Sequence, residues 1–250
     1  MQTLTSSGGI SLSDDQGDAR VKARKRSVAS ADRERIADWR EGGSRDQRTV
    51  LIRAALFRAA MEVVGEVGYE QASISRITQR AGVAQGTFYN HFESRQDILD
   101  QLLPAVGREM VEHVRLCARK GNSAFEREEL GFRAFFSFLK KTPHFFRILN
   151  EAESFAPKGY REHLQLVSDG YMRFLRHAHK DGELPGFDER ELEVVALVLM
   201  SARTYIAWRY MHGEAGGDEL PDWVVQAYVK FTMFGLHGRP MPGNAGLSNR

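Results

Sequence analysis

The residues with the most specific chemistry lie in one stretch, GYEQASISRITQRAGVAQGTFYNHFESRQDIL, from Gly68 to Leu99. Gln85 and Asn90 carry amides, which both donate and accept and so can read base edges. Thr87 offers a methyl to thymine and a hydroxyl to phosphate. Gly86 has no side chain, so a duplex could approach the backbone there. Tyr89 and His91 are amphipathic donors of the phosphate-contact type. Phe88 and Phe92, interleaved with them, read as core.

The surrounding pattern supplies elements to hold these groups. Ser73 is placed to cap a short helix carrying Ile74, Ile77 and Ala81 on one face, and Gly82 breaks it. The spacing predicts a second helix from about Gln85 to Phe92. Two helices joined by Gly82-Val83-Ala84 make a helix-turn-helix, whose second helix enters the major groove. Upstream, Ser44 and Gln47 fit a capping box. Val50, Ala54, Phe57, Met61 and Val64 then recur at helical spacing, widened by Leu56, Ala60 and Val63, up to a stop at Gly68.

These residues resemble the DNA-binding region of the TetR/AcrR family of bacterial transcriptional regulators. The family pattern (an apolar first helix, G-Y, S-x-x-x-I, A-G-V, G-T-x-Y-x-H-F and a basic residue) is matched from Leu56 to Arg95. The resemblance implies an all-α fold of about nine helices. Three form a helix-turn-helix head, a fourth links it to an effector-binding domain, and the last two pair with a second copy. By the same resemblance Ser73 caps helix two, Ser75 and Arg76 sit at its exposed start, and Tyr89, His91 and Arg95 hold the DNA backbone. Ser75 has solvated surface as its competing reading. Ala84 stands where the family usually places a capping Ser or Thr, Thr78 where it places a small apolar residue, and Arg95 where it places lysine.

Charge bounds the reading. The 35 basic and 33 acidic residues leave a net +2, and residues 73–95 also sum to +2 (Arg76, Arg80 and Arg95 against Glu93). One head would bind DNA feebly, and two on a dimer would add their contributions. The block Arg20, Lys22, Arg24, Lys25, Arg26 reads either as a minor-groove arm or as a solvated tail.

The C-terminal half is helical by period, with no sustained strand alternation. Residues 125–174 hold nine of the 15 phenylalanines, more than a small bundle's core asks for. Phe132, Phe135, Phe136, Phe145, Phe146, Tyr171 and Phe174 are therefore read as lining an apolar cavity, with plain core as the alternative. Among polar groups, His144, Arg147, His163, Arg203 and Tyr205 could orient a ligand. Arg203 sits in the most apolar helix and needs a carboxylate, from Glu151, Glu153 or an acidic ligand. The helices near 192–211 and 221–235 are apolar nearly all round. Leu199, Ile206, Trp223, Ala227, Phe231 and Phe234 are the expected homodimer contacts, with intramolecular core as the alternative.

The expected organisation is a basic tail (1–44), a head (45–94), an effector and dimerisation domain (95–238) and a C-terminal tail (239–250). Enzyme signatures such as G-x-S-x-G, H-E-x-x-H and the P-loop are missing from the sequence, so no catalytic role is assigned. No cofactor and no metal are expected, because Glu109 with His113, and His177 with His179, read as solvated surface. One cysteine, Cys117, and an N-terminus without the pattern of a secretion signal suggest the cytoplasm. The longest apolar run, 192–202, is short of the roughly 20 residues of a membrane span. The expected function is a repressor of a near-palindromic DNA operator, released by a small apolar or amphipathic effector. A helical DNA-associated assembly factor without an effector is the alternative.

Overall fold

The computed structural model describes residues 44–212 and 220–236. The Arg20–Arg26 block, Ile36 and Trp39 (whose spacing of three suggests a short helix), residues 213–218 (which read from sequence as a loop) and the expected tail at 239–250 lie outside the described residues. The described elements are nine α-helices: α1 Arg45–Gln71, α2 Ile74–Ala81, α3 Gln85–Phe88, α4 Arg95–Ala118, α5 Ala124–Lys141, α6 Phe145–Phe155, α7 Pro157–Lys180, α8 Glu191–Ala207 and α9 Asp222–Leu236. A π-helical turn, Trp208–His212, follows α8. The chain divides into two compact units, residues 1–56 and 57–250. The described part of the first is the N-terminal half of α1.

Local signals set most boundaries. Ser44 and Gln47 exchange the reciprocal bonds of a capping box, Ser44 N–H to Gln47 Oε1 at 3.0 Å and Gln47 N–H to Ser44 Oγ at 3.3 Å. Ser94 and Ser123 cap α4 and α5 by accepting from the amides of Asp97 and Glu126. Asp188 and Glu191 form a second capping box ahead of α8.

Three expectations shift. The buried stripe of α1 is Ala55, Leu56, Ala59, Ala60, Val63 and Val64, whereas Val50 and Ala54 are exposed and Phe57 and Met61 half-buried. The apolar period is right, but its centre lies one residue further round the helix. Thr142 and Pro143 suggest by their types a helix opening at His144; α6 opens instead at Phe145, whose amide donates to Thr142 O. The helix expected to reach about Met211 leaves α geometry at Trp208.

In unit 57–250, α4 makes its main contacts with α5 and α7. His163 lies against Gly107 and Gly170 against Val111, so α7 runs alongside α4 in the same sense. Phe132, Phe136, Phe138 and Phe146 are buried core. Among the described residues, no helix is long and apolar enough to cross a membrane.

Candidate functional site

The helix-turn-helix is built as its residues direct. Ser73 Oγ accepts from the Arg76 amide at 3.3 Å and starts α2. Gly82 ends it in the left-handed region, φ 68, with its amide on Gln79 O. The Val83 amide then bonds Thr78 O at 3.0 Å, closing the turn. Thr78 is itself buried, and its hydroxyl donates to Ile74 O at 2.9 Å. This is how a polar side chain occupies a position suited to a small apolar one.

α3 is shorter than its sequence period suggests. It covers Gln85–Phe88 and continues as hydrogen-bonded turns, with Asn90 N–H on Thr87 O and His91 N–H on Phe88 O. Ala84 gives no side-chain cap, and uncapped first amides favour a short helix. The segment still separates its faces. Phe88 and Phe92 are buried, with the edge of Phe57 against Phe92 at 5.2 Å. Gln85, Gly86, Tyr89 and Asn90 are exposed, and Thr87 and His91 half-exposed. Ser73, Ser75 and Arg76 are exposed alongside them.

Arg95 does not sit as expected. Its guanidinium donates to Ala72 O at 2.7 Å, to Glu70 O at 3.1 Å and to Tyr69 O. It ties the carbonyls at the end of α1 rather than facing outward, because those carbonyls lack helical partners. Arg80 is also engaged, by surface ion pairs with Glu62 at 3.0 Å and Glu66 at 2.6 Å. That hydrogen bond to Arg80 holds the Glu66 carboxyl below its usual range. Two of the three arginines in residues 73–95 are thus committed to partners within the protein, Arg80 at its surface.

The end of α1 is also braced by α6. Gly68 has φ 82 and ψ 167, which turns the chain out of the helix. A Cβ there would lie 2.8 Å from the Glu151 carboxylate. Glu151 accepts from the Tyr69 amide at 2.9 Å and from Arg147 Nε at 2.7 Å. Arg147 Nη1 donates to Glu66 O at 3.0 Å. Arg147 therefore braces the head and is not among the residues that line the cavity. The sequence offered a sign of this in the i,i+4 spacing of Arg147 and Glu151, but no sign of their third partner.

A cavity of about 590 Å³ opens between α4, α5, α6, α7 and α8. Of the expected lining residues, Phe135, Phe145, Tyr171, Phe174 and Arg203 do line it. Phe132 and Phe136 pack together, Phe132 stacks on Tyr228 at 3.9 Å, and Phe146 is also core. Tyr205 is 75% exposed, beside Trp208 and away from the cavity. Sequence reasoning missed the aliphatic walls, among them Val111, Val114, Leu164 and Val167. Their repeat along α4 and α7 was the available signal.

Arg203, 7% exposed, is paired with Glu128 at 2.8 Å, and not with Glu151 or Glu153. Glu128 also accepts from the Tyr228 hydroxyl of α9 at 2.5 Å. Burial opposes the charge on Arg203, but Glu128 outweighs it and the pKa rises. Burial raises Tyr171, over whose ring the Arg203 guanidinium lies at 5.1 Å. His163 is buried, and burial pushes its pKa down to about 4. It is a neutral imidazole at ordinary pH.

α8 and α9 each have one buried and one exposed apolar face. Leu199 is buried at 3% exposure, a core residue rather than the dimer contact expected, because it shares the inward face with Leu192 and Val195. The outward face is Val194, Leu197, Val198 and Tyr205 on α8. On α9 it is Trp223, Ala227, Phe231 and Phe234. Ile206 is half-buried.

A helix-turn-helix followed by a helical body with an internal cavity defines an all-α, two-part class of proteins. Within that class, residues 56–102 match the model of the bacterial regulatory proteins of the tetR family. The fatty acid metabolism regulator protein of Bacillus subtilis is 36% identical over 81 residues, covering 32% of this chain and 42% of that one. The transcriptional activator FasR of Mycolicibacterium smegmatis is 31% identical over 107 residues, covering 43% and 47%. The chain thus spans under half the length of these curated relatives. The FadR structure of Bacillus subtilis, solved with stearoyl-CoA, superposes with a TM-score of 0.60 at 22% identity over 73% of this chain and 96% of that one. Residues 56–102 are thus similar to the tetR-family head, and the chain shares the fold of that regulator.

Proposed function

We propose that this chain is a ligand-responsive, DNA-binding transcriptional repressor that acts as a homodimer on a near-palindromic operator. The observation that carries the reading is the division of the segment 85–92, with Phe88 and Phe92 buried and Gln85, Tyr89 and Asn90 exposed. Amides and hydroxyls on one outward face suit base edges and phosphates. Ser73, Ser75, Arg76, Gly86, Thr87 and His91 complete the proposed contact surface, from which Arg95 is withdrawn. With so little free positive charge in one head, affinity comes from two. Their recognition elements then lie about 34–36 Å apart on successive major grooves.

The exposed apolar face of α8 and α9 supports pairing with a second copy, since faces of that kind are rarely left to water. The cavity supports a small apolar or amphipathic effector, in keeping with the relatives named for fatty acid metabolism and for a stearoyl-CoA complex. An effector lowers DNA affinity only by its preference for a state that binds DNA less well. The alternative, an assembly factor without an effector, gains no support from a protein with a cavity of about 590 Å³. The relatives are named as regulators, and the proposal assigns no catalysis.

Selection of bound duplexes from a random pool, followed by anisotropy titrations, tests the reading. Gln85→Ala relaxes base preference at one position of each half-site. Arg76→Ala weakens binding to every sequence and shallows the slope of log K against log salt by about one unit per head. Equal losses on all sequences from Gln85→Ala would remove its reading role, and a monomer indifferent to DNA would remove the proposal.

A further inference from the structure

The charges around the cavity are unevenly placed. Arg115 and Arg119 lie at the C-terminal end of α4, Arg127 opens α5, and Arg173 lies late in α7; all four line the cavity. Because α7 runs alongside α4 in the same sense, these positions fall toward the end of the cavity remote from the head. Phe145, Leu149 and His163 mark the opposite end.

Counting every charged side chain of the lining gives five arginines, including Arg203, against one carboxylate, Glu128. Glu128 is already committed to Arg203. Arg115 is paired with Glu112 at 2.6 Å, and Arg127 donates to Gly121 O at 3.1 Å. Arg173 has no carboxylate partner among the described residues. His177 beside them is matched by Asp181 at 3.4 Å. That end of the cavity thus keeps an excess of guanidinium beside an apolar interior walled by Val111, Val114, Leu164 and Val167. Like charges at one end of a cavity repel one another. Guanidinium forks fit planar or tetrahedral oxyanions bidentately.

We infer that the ligand of this cavity is an amphipathic anion, with its carboxylate or phosphate head held by Arg115, Arg119, Arg127 and Arg173 and its apolar part running inward toward Phe145 and Leu149. The inference rests on the reading of the cavity as an effector site and narrows it. It excludes lipophilic cations and disfavours neutral chains of the same length. Arg203, neutralised by Glu128, is not the head's partner.

The test is calorimetric titration of the full chain, without DNA, with dodecanoate, dodecyl phosphate, dodecanol and dodecyltrimethylammonium, each below its micelle concentration. The expected result is that at least one of the anions binds about tenfold or more tighter than the alcohol and the ammonium. Raising the salt weakens the anion alone. Comparing dodecanoate with dodecyl phosphate distinguishes a carboxylate head from a phosphate head. The double variant Arg119→Ala/Arg173→Ala, its fold checked by thermal melting, loses the preference for the anion and keeps its affinity for dodecanol. Failure of both anions to bind, equal binding of the alcohol or the ammonium, or full anion preference in the double variant overturns the inference. Anion binding that leaves the DNA complex intact supports the inference and removes effector release from the proposed function.

Discussion

The head and the body of this protein are held together by interactions of different range. In the head, Ser73 caps α2 from three residues away, and Gly82 and Val83 close the turn onto Gln79 and Thr78. In the body, Arg203 meets a carboxylate 75 residues earlier in the chain, and that carboxylate meets a tyrosine 100 residues later. Local interactions are individually small and replaceable. A buried ion pair with long-range partners leaves a charge stranded when one member is lost.

The largest expected effect breaks this contrast at its strong end. Glu128→Ala leaves Arg203 charged, buried and unpaired, and costs about 3–5 kcal/mol by urea unfolding. Replacing both members with apolar residues, Glu128→Leu with Arg203→Met, restores most of that loss. A double variant as unstable as the single one would show that Tyr228 and the shape of the site matter more than the charge.

His163 gives the next effect. Its folded pKa is about 4 against the ordinary 6.5, so between these values only the unfolded chain holds the proton. Stability therefore falls as pH drops from about 6.5 to about 4, by up to about 3 kcal/mol, and this group has no effect above that window. His163→Gln flattens that part of the pH profile, leaving only the carboxylate contributions.

Gly68→Ala probes the joint between the two regions. The left-handed φ and the carboxylate 2.8 Å from the new Cβ together cost about 1–3 kcal/mol. The loss comes with weaker DNA binding, because the brace on Tyr69 must shift. At the small end, Ser73→Ala costs about 1 kcal/mol in thermal unfolding. Ala84→Ser supplies the missing cap of α3 and gains about 0.5–1 kcal/mol. A loss of several kcal/mol from Ser73→Ala would erase the contrast.

What was legible in the sequence follows the same division. Caps, glycine stops and the helix-turn-helix could be read because each is written in residues three or four apart. The exposed face of 85–92 followed from the interleaving of Phe88 and Phe92 with polar residues. The partner of Arg203 was not legible, because nothing near it in sequence distinguishes Glu128 from Glu151 or Glu153. Arg95 was misplaced for a related reason. Its charge suits phosphate, but the carbonyls it binds belong to a helix end more than twenty residues away. Leu199 was misassigned because a helix apolar all round does not say which face meets its own chain.

α6 faces two ways at once. Its eleven residues place Phe145 and Leu149 in the wall of the cavity and Arg147 and Glu151 on the backbone of α1. Any substitution that reshapes this wall by shifting α6 would also change how firmly the end of α1 is held. On the proposed function, the effector site and the reading element would share this one helix, so a change made for either reaches the other.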